Sequence, residues 1–410
     1  MSIQFHAFFI SIKNRCRKEH LALGTGGKVL LMKNHLFLLL VLTLGVFSLM
    51  SCNKENVNED EEVVEDDGNY CIAMVTIIGD HHGYIDKTGQ YVVNPTNYSA
   101  NDFSEGLGLV QKSAFNIGYV NKTGQYVIIP QFNYARDFSE GLAAVGMSNN
   151  PDYPWNYDAT WGYIDKTGQY VINPQFDGAG DFHEGLAFVV KDEKWGYIDK
   201  TGQIVIDTQF DYAYSFSEGL AAVNIGGFGY GRWGVIDKTG RYVADPQFDW
   251  VSDFSEGLAA VQIGGLEYGR WGFIDKTGQI VIDTQFDVAG DFHEGLAAVK
   301  IGNKWGYIDK TGQYVIDLQF FGASNFSEGL AAVDVGGWEN HKWGYIDKTG
   351  QFVINPQFDE ADEFSEGLAG VQVGCNEYGF AGPFGYIDKK GQFVIELQSQ
   401  FWGSYFRKVD

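Results

Sequence analysis

The chain repeats itself, and one distance within the repeat never changes. The phrase Gly-Tyr-Ile-Asp-Lys-Thr-Gly-Gln, or a close variant, opens at Gly83, Gly118, Gly162, Gly196, Gly234, Gly272, Gly306, Gly344 and Gly385. A second phrase, Phe-(Ser/His)-Glu-Gly-Leu, opens at Phe103, Phe138, Phe182, Phe216, Phe254, Phe292, Phe326 and Phe364, each 20 residues after its glycine. From the Glu-Gly-Leu glycine to the next unit the count varies: 12, 21, 11, 15, 15, 11, 15 and 18 residues. The invariant stretch is therefore geometrically constrained. The variable one holds a loop that reaches solvent, where insertions cost little. A unit of this length recurring nine times is one supersecondary element stacked on copies of itself.

Each unit reads as β structure. Trp-Gly-Tyr-Ile-Asp and Gln-Tyr-Val-Ile-Asp, from Trp305 onward, are rich in aromatic and β-branched residues and flank Lys310-Thr311-Gly312. Asp309 to Gly312 suits a type I turn with glycine at the positive-φ position, a hairpin signal. Upstream, Gly295-Leu-Ala-Ala-Val reads as a third strand, joined to the Trp-Gly strand through the variable loop. The unit is thus a three-stranded antiparallel meander. Pro95, Pro130, Pro174, Pro246 and Pro356 follow the second hairpin strand and are expected to end its pairing, lacking an N–H. No long stretch has helical periodicity outside the N-terminal leader.

The expected fold is all-β: nine such meanders over residues 70–400, the first from about Cys71 to Val93 and the last from Glu366 to Ile395, followed by a C-terminal tail, 401–410. One meander is too small to offset the entropy of ordering it, so neighbours must stack. Asp181-Phe-His-Glu and Asp291-Phe-His-Glu lie 110 residues apart, the length of one 34, 38, 38 block of units. Growth in blocks favours an open superhelical array, and a β-propeller is the alternative. Cys71 and Cys375, in the first and last units, can be bridged only if the ends of the row meet.

The N-terminus reads as an address. Leu36 to Met50 is an apolar run of 15, short of the ~20 a membrane span needs and suited to the core of a signal peptide. Leu49-Met50-Ser51-Cys52 resembles a bacterial lipobox, which implies cleavage before Cys52 and a lipid anchor on it. Residues 1–31 fit poorly in front of this signal and read as a mis-called extension, with Met32 the initiator and 32–51 the signal peptide. Residues 52–69 form an acidic tether, with eight Asp/Glu against one Lys from Asn53 to Gly68. Acidic residues after the lipidated cysteine resemble a surface-export signal of Bacteroidetes-type lipoproteins. The expected location is the outer membrane, on its periplasmic or its outward face.

Charge bounds the partners. Removing residues 1–51, with six Lys/Arg and one Glu, takes 29 basic and 53 acidic residues to 23 and 52, a net charge near −29. Such a chain with no basic stripe is not built to hold nucleic acid. Catalytic chemistry is not evident: no singular constellation stands out, and no catalytic residue, metal or cofactor is expected. The recurring Asp opens a turn, and Asn121 in the second unit does so equally well. The recurring Glu reads as a turn residue rather than a calcium ligand. His81 and His82 point to opposite faces of a strand. The aromatics that do not repeat are more telling. Tyr153, Trp155, Tyr157, Phe228, Tyr230, Tyr268, Trp338, Tyr378 and Phe380 all fall in the variable loop, so all emerge on one edge of the array and are the candidate ligand-binding residues.

Trp precedes the unit glycine at Trp161, Trp195, Trp233, Trp271, Trp305 and Trp343. With the phrases above, this resembles the WG-repeat family of bacterial lipoproteins, over about residues 70–400. His82, Ile117 and Phe384 depart from the pattern. The resemblance brings no catalytic residues. The expected function is a non-catalytic, membrane-tethered scaffold for a protein or glycan ligand at the cell envelope. A hydrolase with a propeller-like cleft and a purely structural spacer are the alternatives.

Overall fold

A computed structural model describes residues 71–403 and 407–408, apart from 78–80, 98, 114, 149–158, 228–230, 266–267, 338–340, 375–381 and 399–400. The proposed leader, Cys52 and the tether lie outside the described residues.

The turn forms as its residues demand. The Asp309 carboxylate accepts from the Thr311 N–H at 2.8 Å, the Thr311 hydroxyl at 2.6 Å and the Gln313 N–H at 3.1 Å. Gly312, at φ +83°, closes it with an N–H to the Asp309 carbonyl. The hairpin this turn nucleates pairs Lys304–Ile308 with Tyr314–Phe320. Register shifts on either side of Tyr307, so Trp305 faces Phe320 while Tyr307 faces Ile316. That bulge explains the Trp-Gly glycine. A methyl carbon on Gly306 would sit 2.6 Å from the Ile316 carbonyl oxygen, and one on Gly162 2.5 Å from that of Ile172. Only glycine lets the two backbones come this close.

Two features depart from the sequence reading. Pro174 does not end its strand, which runs Tyr170–Phe176. The proline sits at the bulge of an edge strand, where a missing N–H is tolerated. Each blade also has a fourth strand. In the seventh, Val288–Ala289 pairs with Ala297–Ile301, inside the meander that follows. Two residues cut from the linker are too short to read as a strand by pattern.

The units are arranged as a nine-bladed β-propeller, the alternative of the two expected arrangements, and not as an open superhelix. Nine sheets are present. Eight are built from consecutive strands. The first combines Cys71–Ile77, His81–Asp86 and Tyr91–Asn97 with Phe401–Gly403 and Arg407–Lys408 from the other end of the chain, which stand where other blades have their two-residue strand. The tail is thus the missing strand of blade one. The cores agree. Each of nine buried clusters joins two neighbouring blades, as Tyr163, Ile172 and Phe176 of blade three join Phe182, Val189 and Ile198 of blade four. One cluster joins Val75 and Ile85 of the first blade to Tyr386 and Ile395 of the last. Nine blades with nine interfaces make a ring, where an open row has eight. The ring needs no disulfide. Cys375, the other half of the bridge considered above, lies outside the described residues.

Repeated side chains staple blade to blade. Tyr307 of blade seven donates from its hydroxyl to the Ser324 carbonyl of blade eight at 2.8 Å and meets Phe326 edge-on at 4.9 Å. The repeated Glu adopts φ near +52° and reaches the following blade. Glu140 accepts from the Gly185 N–H at 3.0 Å and pairs with Lys200 at 3.0 Å. Burial alone would raise its carboxyl, but the lysine and the glycine N–H outweigh that and hold it below its ordinary value. Eight such Glu–Lys pairs circle the ring, Lys87 with Glu366 closing it.

Candidate functional site

Strand direction sorts the loops onto two faces. Turns between the third and outermost strands and between the innermost and second strands, the Asp-Lys-Thr-Gly and Phe-Ser-Glu-Gly phrases, share one face and barely vary. Loops between the second and third strands all open on the other face. The connections that vary in length therefore all start and end on one side, the side of Trp161, Trp195, Trp233, Trp271, Trp305 and Trp343 in their third strands. Tyr153, Trp155, Tyr157, Phe228, Tyr230, Trp338, Tyr378 and Phe380 belong to these loops and lie outside the described residues. Tyr268 is described and is 85% exposed, with its ring in solvent.

The innermost strands bring together residues that the repeat phrases concealed. The residue before each repeated Phe is acidic in six blades: Asp102, Asp137, Asp181, Asp253, Asp291 and Glu363. Their electrostatic partners include groups two blades away. Tyr386 of blade nine feels Asp102 of blade two, His183 of blade four eases Asp253 of blade six, and His293 of blade seven eases Glu363 of blade nine. Each coupling skips a blade, which places these groups around the middle of the ring. Burial pushes the Asp253 carboxyl above its ordinary value, Asp291 adds to the rise, and His183 opposes it.

One recess opens into this acidic centre. It has a volume of about 320 Å³ and lies between blades two, three and four, among Asn101, Tyr134, Arg136, Asp137, Trp161 and Asp181. The rings of Tyr134 and Trp161 lie 5.8 Å apart at 30° and make its apolar wall. Asn101 donates to Asp137 at 3.2 Å. Arg136 meets Asp181 at a long 3.9 Å. The other Asp181 oxygen, Oδ1, is buried without a hydrogen-bond partner among the described residues. Burial pushes this carboxyl up, while Arg136 and His183 pull it down. Sequence reasoning passed over these residues because it read the linker for its punctuation. The recurring acid before Phe was the available signal.

A second cluster belongs to one unit alone. Blade nine carries Glu360 on its innermost strand and Asp362 and Glu363 just after it. Burial, with neighbouring acids, pushes Glu360 and Asp362 each up to about 7. Nearby, His341 Nδ1 contacts Asp334 at 2.5 Å, and Asp334 is 1% exposed. Among the described residues no group of three or more His, Cys, Asp and Glu is placed to hold a metal ion.

A solved structure described as the eukaryotic initiation factor is 11% identical, with a TM-score of 0.58, covering 83% of this chain and 98% of that one. Likeness at this identity concerns the fold alone. The β-propeller domain of the Trilobed protease from Pyrococcus furiosus, described as having an open velcro topology, is 9% identical with a TM-score of 0.34, covering 70% of this chain and 98% of that one. Hsv2p of Kluyveromyces lactis is 9% identical with a TM-score of 0.38, covering 60% and 91%. No curated protein sequence matches the chain. The WG containing repeat matches nine times, at residues 83–113, 117–150, 161–195, 195–227, 233–266, 271–305, 305–337, 343–374 and 384–401. These stretches begin at or near the Trp-Gly pair, inside a blade, so sequence repeat and structural blade are out of phase by two strands. They cover well over half of the chain, which belongs to the WG containing repeat family.

Proposed function

We propose that this protein is a non-catalytic binding scaffold of the bacterial cell envelope, anchored to the outer membrane by lipid on Cys52 and capturing a protein or glycan on its variable-loop face. The observation that carries the reading is the segregation of the loops. One face of the ring is nearly identical from blade to blade, and the connections that vary in length all join the second and third strands at the other, where the described Tyr268 is 85% exposed. Selection for stability alone has no reason to enlarge one face of a ring already closed. Aromatic side chains at loop tips give a ligand large contact area at small entropic cost. The acidic tether, self-repelling, holds the ring away from the membrane. The test replaces Trp155 and Trp338 with Ala. Loss of capture of glycans or envelope proteins with an unchanged unfolding midpoint supports the reading, and loss of folding makes the two residues packing elements. Lipid is tested separately: radiolabelled palmitate enters the native chain and not a Cys52→Ala variant.

A hydrolase is the alternative, favoured by one observation. Glu360 and Asp362 are confined to a single blade and stay partly protonated near neutrality, as an acid–base pair must. Turnover of an envelope polysaccharide, abolished by Glu360→Gln, is the result that would replace the scaffold reading.

A further inference from the structure

The recess between blades two, three and four holds two charges of opposite sign that the protein itself leaves poorly matched. The Arg136 side chain, 43% exposed, has no closer polar contact among the described residues than Asp181 at 3.9 Å. Asp181 Oδ1 is buried and has no hydrogen-bond partner among the described residues, while the side chain as a whole is 29% exposed, so a carboxylate short of donors borders the recess. Beside both lies an apolar wall, the Trp161 and Tyr134 rings. Asn101 is already committed to Asp137. The volume, about 320 Å³, is at the small end of ligand sites, which run from about 300 to 1,000 Å³.

We propose that this recess is a receptor site for a free α-amino acid with an apolar side chain, its carboxylate on Arg136, its ammonium on Asp181 and its side chain against Trp161 and Tyr134. The charges select among ligands. An anion would meet two carboxylates, Asp137 and Asp181, with a single guanidinium to offset them. A simple cation would face Arg136. A sugar would give neutral hydrogen bonds where a zwitterion gives charge-assisted ones at both ends, roughly twice as strong. The site is not one repeated nine times. Arg136 is the sole Lys or Arg at its position, two residues before the repeated Phe, where the other units have Asn101, Gly180, Tyr214, Ser252, Gly290, Ser324 and Asp362. It stands apart from the loop-face reading and survives or fails without it.

The test is titration calorimetry on the full chain in detergent, with L-leucine and L-phenylalanine, their N-acetyl and their carboxamide derivatives, and glucose. The free amino acids bind, and blocking either end weakens binding tenfold or more. Asp181→Asn removes the penalty for N-acetylation, and Arg136→Gln removes the penalty for amidation. Near-UV circular dichroism reports whether these variants are folded, and the blocked ligands test the site on the unaltered protein if they are not. Absence of heat with both amino acids overturns the proposal. So does equal affinity for free and N-acetylated forms, or tighter binding of glucose.

Discussion

Gly306→Ala sets a methyl carbon 2.6 Å from the Ile316 carbonyl oxygen, which is backbone held in the ladder and unable to step aside. Overpacking of this kind costs about 1–3 kcal/mol, and urea unfolding should register it. Asp309→Asn, by contrast, should leave the midpoint unchanged. Asn121 already performs the same duty, accepting from Thr123 N–H at 3.0 Å, its hydroxyl at 2.8 Å and Gln125 N–H at 3.0 Å. The aspartates therefore serve the turn through their oxygen geometry and not their charge. Blade nine is where charge matters. Burial, together with Glu360 and Glu363, raises Asp362 to about 7, and burial with Asp359 raises Glu360 to about 7 against the pull of His341. In the unfolded chain both titrate near 4. Between about pH 4 and pH 7 the folded chain keeps protons that the unfolded chain has released, so these groups withdraw stability as pH climbs through that window. The Glu–Lys staples run the other way: Glu140, Glu184, Glu218, Glu256 and Glu294 are held below their ordinary value, and their contribution fades as pH falls. Asp362→Asn leaves the staples untouched, so comparison with the parent isolates one group. The variant should match the parent at pH 4 and show a higher urea midpoint at pH 8. A lower midpoint at pH 8 would mean that the ionised carboxylate is stabilising.

At the scale of the strand, the sequence was legible wherever a rule of the backbone left a residue signature. Asp-Lys-Thr-Gly marked the turn, Leu-Ala-Ala-Val marked the second strand, and its pairing with the Trp-Gly strand is as read, with Val299 opposite Gly306. The innermost strand was not legible, because a two-residue element has no periodicity to detect. The prolines misled for a physical reason: the argument from a missing N–H holds for a central strand, and these strands are edges with a bulge. The acidic ring was visible as Asp-Phe or Glu-Phe in six linkers, but only the topology reveals that those residues converge on an axis. Loop lengths were the most informative feature, since they give the faces once the strand order is known. Blade four bridges its second and third strands by just two residues, Asp192 and Glu193, at φ +52° and +62°, as blade seven does by Gly302 and Asn303. Grafting Lys191–Lys194 into blade three in place of residues 148–159 should keep the unfolding temperature within about 5 °C, because neither Ser148 nor Ala159, the described ends of that segment, belongs to the clusters between blades. If the loop face binds the ligand, the graft should also lower capture. A graft that unfolds the ring would show that the long loop is a structural strap.

For the whole molecule, closure decides stability, and closure depends on a few residues remote in sequence from the blade they complete. Phe406 lies 21 residues after Gly385, one more than the spacing of the other eight units, so the tail repeats the linker with a single insertion. The Phe-(Ser/His)-Glu-Gly-Leu phrase is absent there, Phe406 being followed by Arg407, Lys408 and Val409. In a ring every blade shares its core with two neighbours, and removing one strand weakens two interfaces and bares the edge of Cys71–Ile77. A chain ending at Gln398 should therefore unfold more than about 5 °C lower and at a scan-rate-dependent temperature, and should associate through the open edge. Two controls separate loss of closure from loss of mass. Moving residues 401–408 to a position just before Cys71, through a short Gly-Ser link, makes blade one continuous in sequence and should restore most of the stability. Deleting units four to six as one 110-residue block keeps both ends but changes the number of blades, and each blade must then turn through a larger angle to close. If the ring is the unit of stability, the permuted chain is stable and the six-bladed one is strained. If the blades are instead stabilised only by pairwise stacking along a row, the block deletion is the milder change and the truncated chain loses almost nothing.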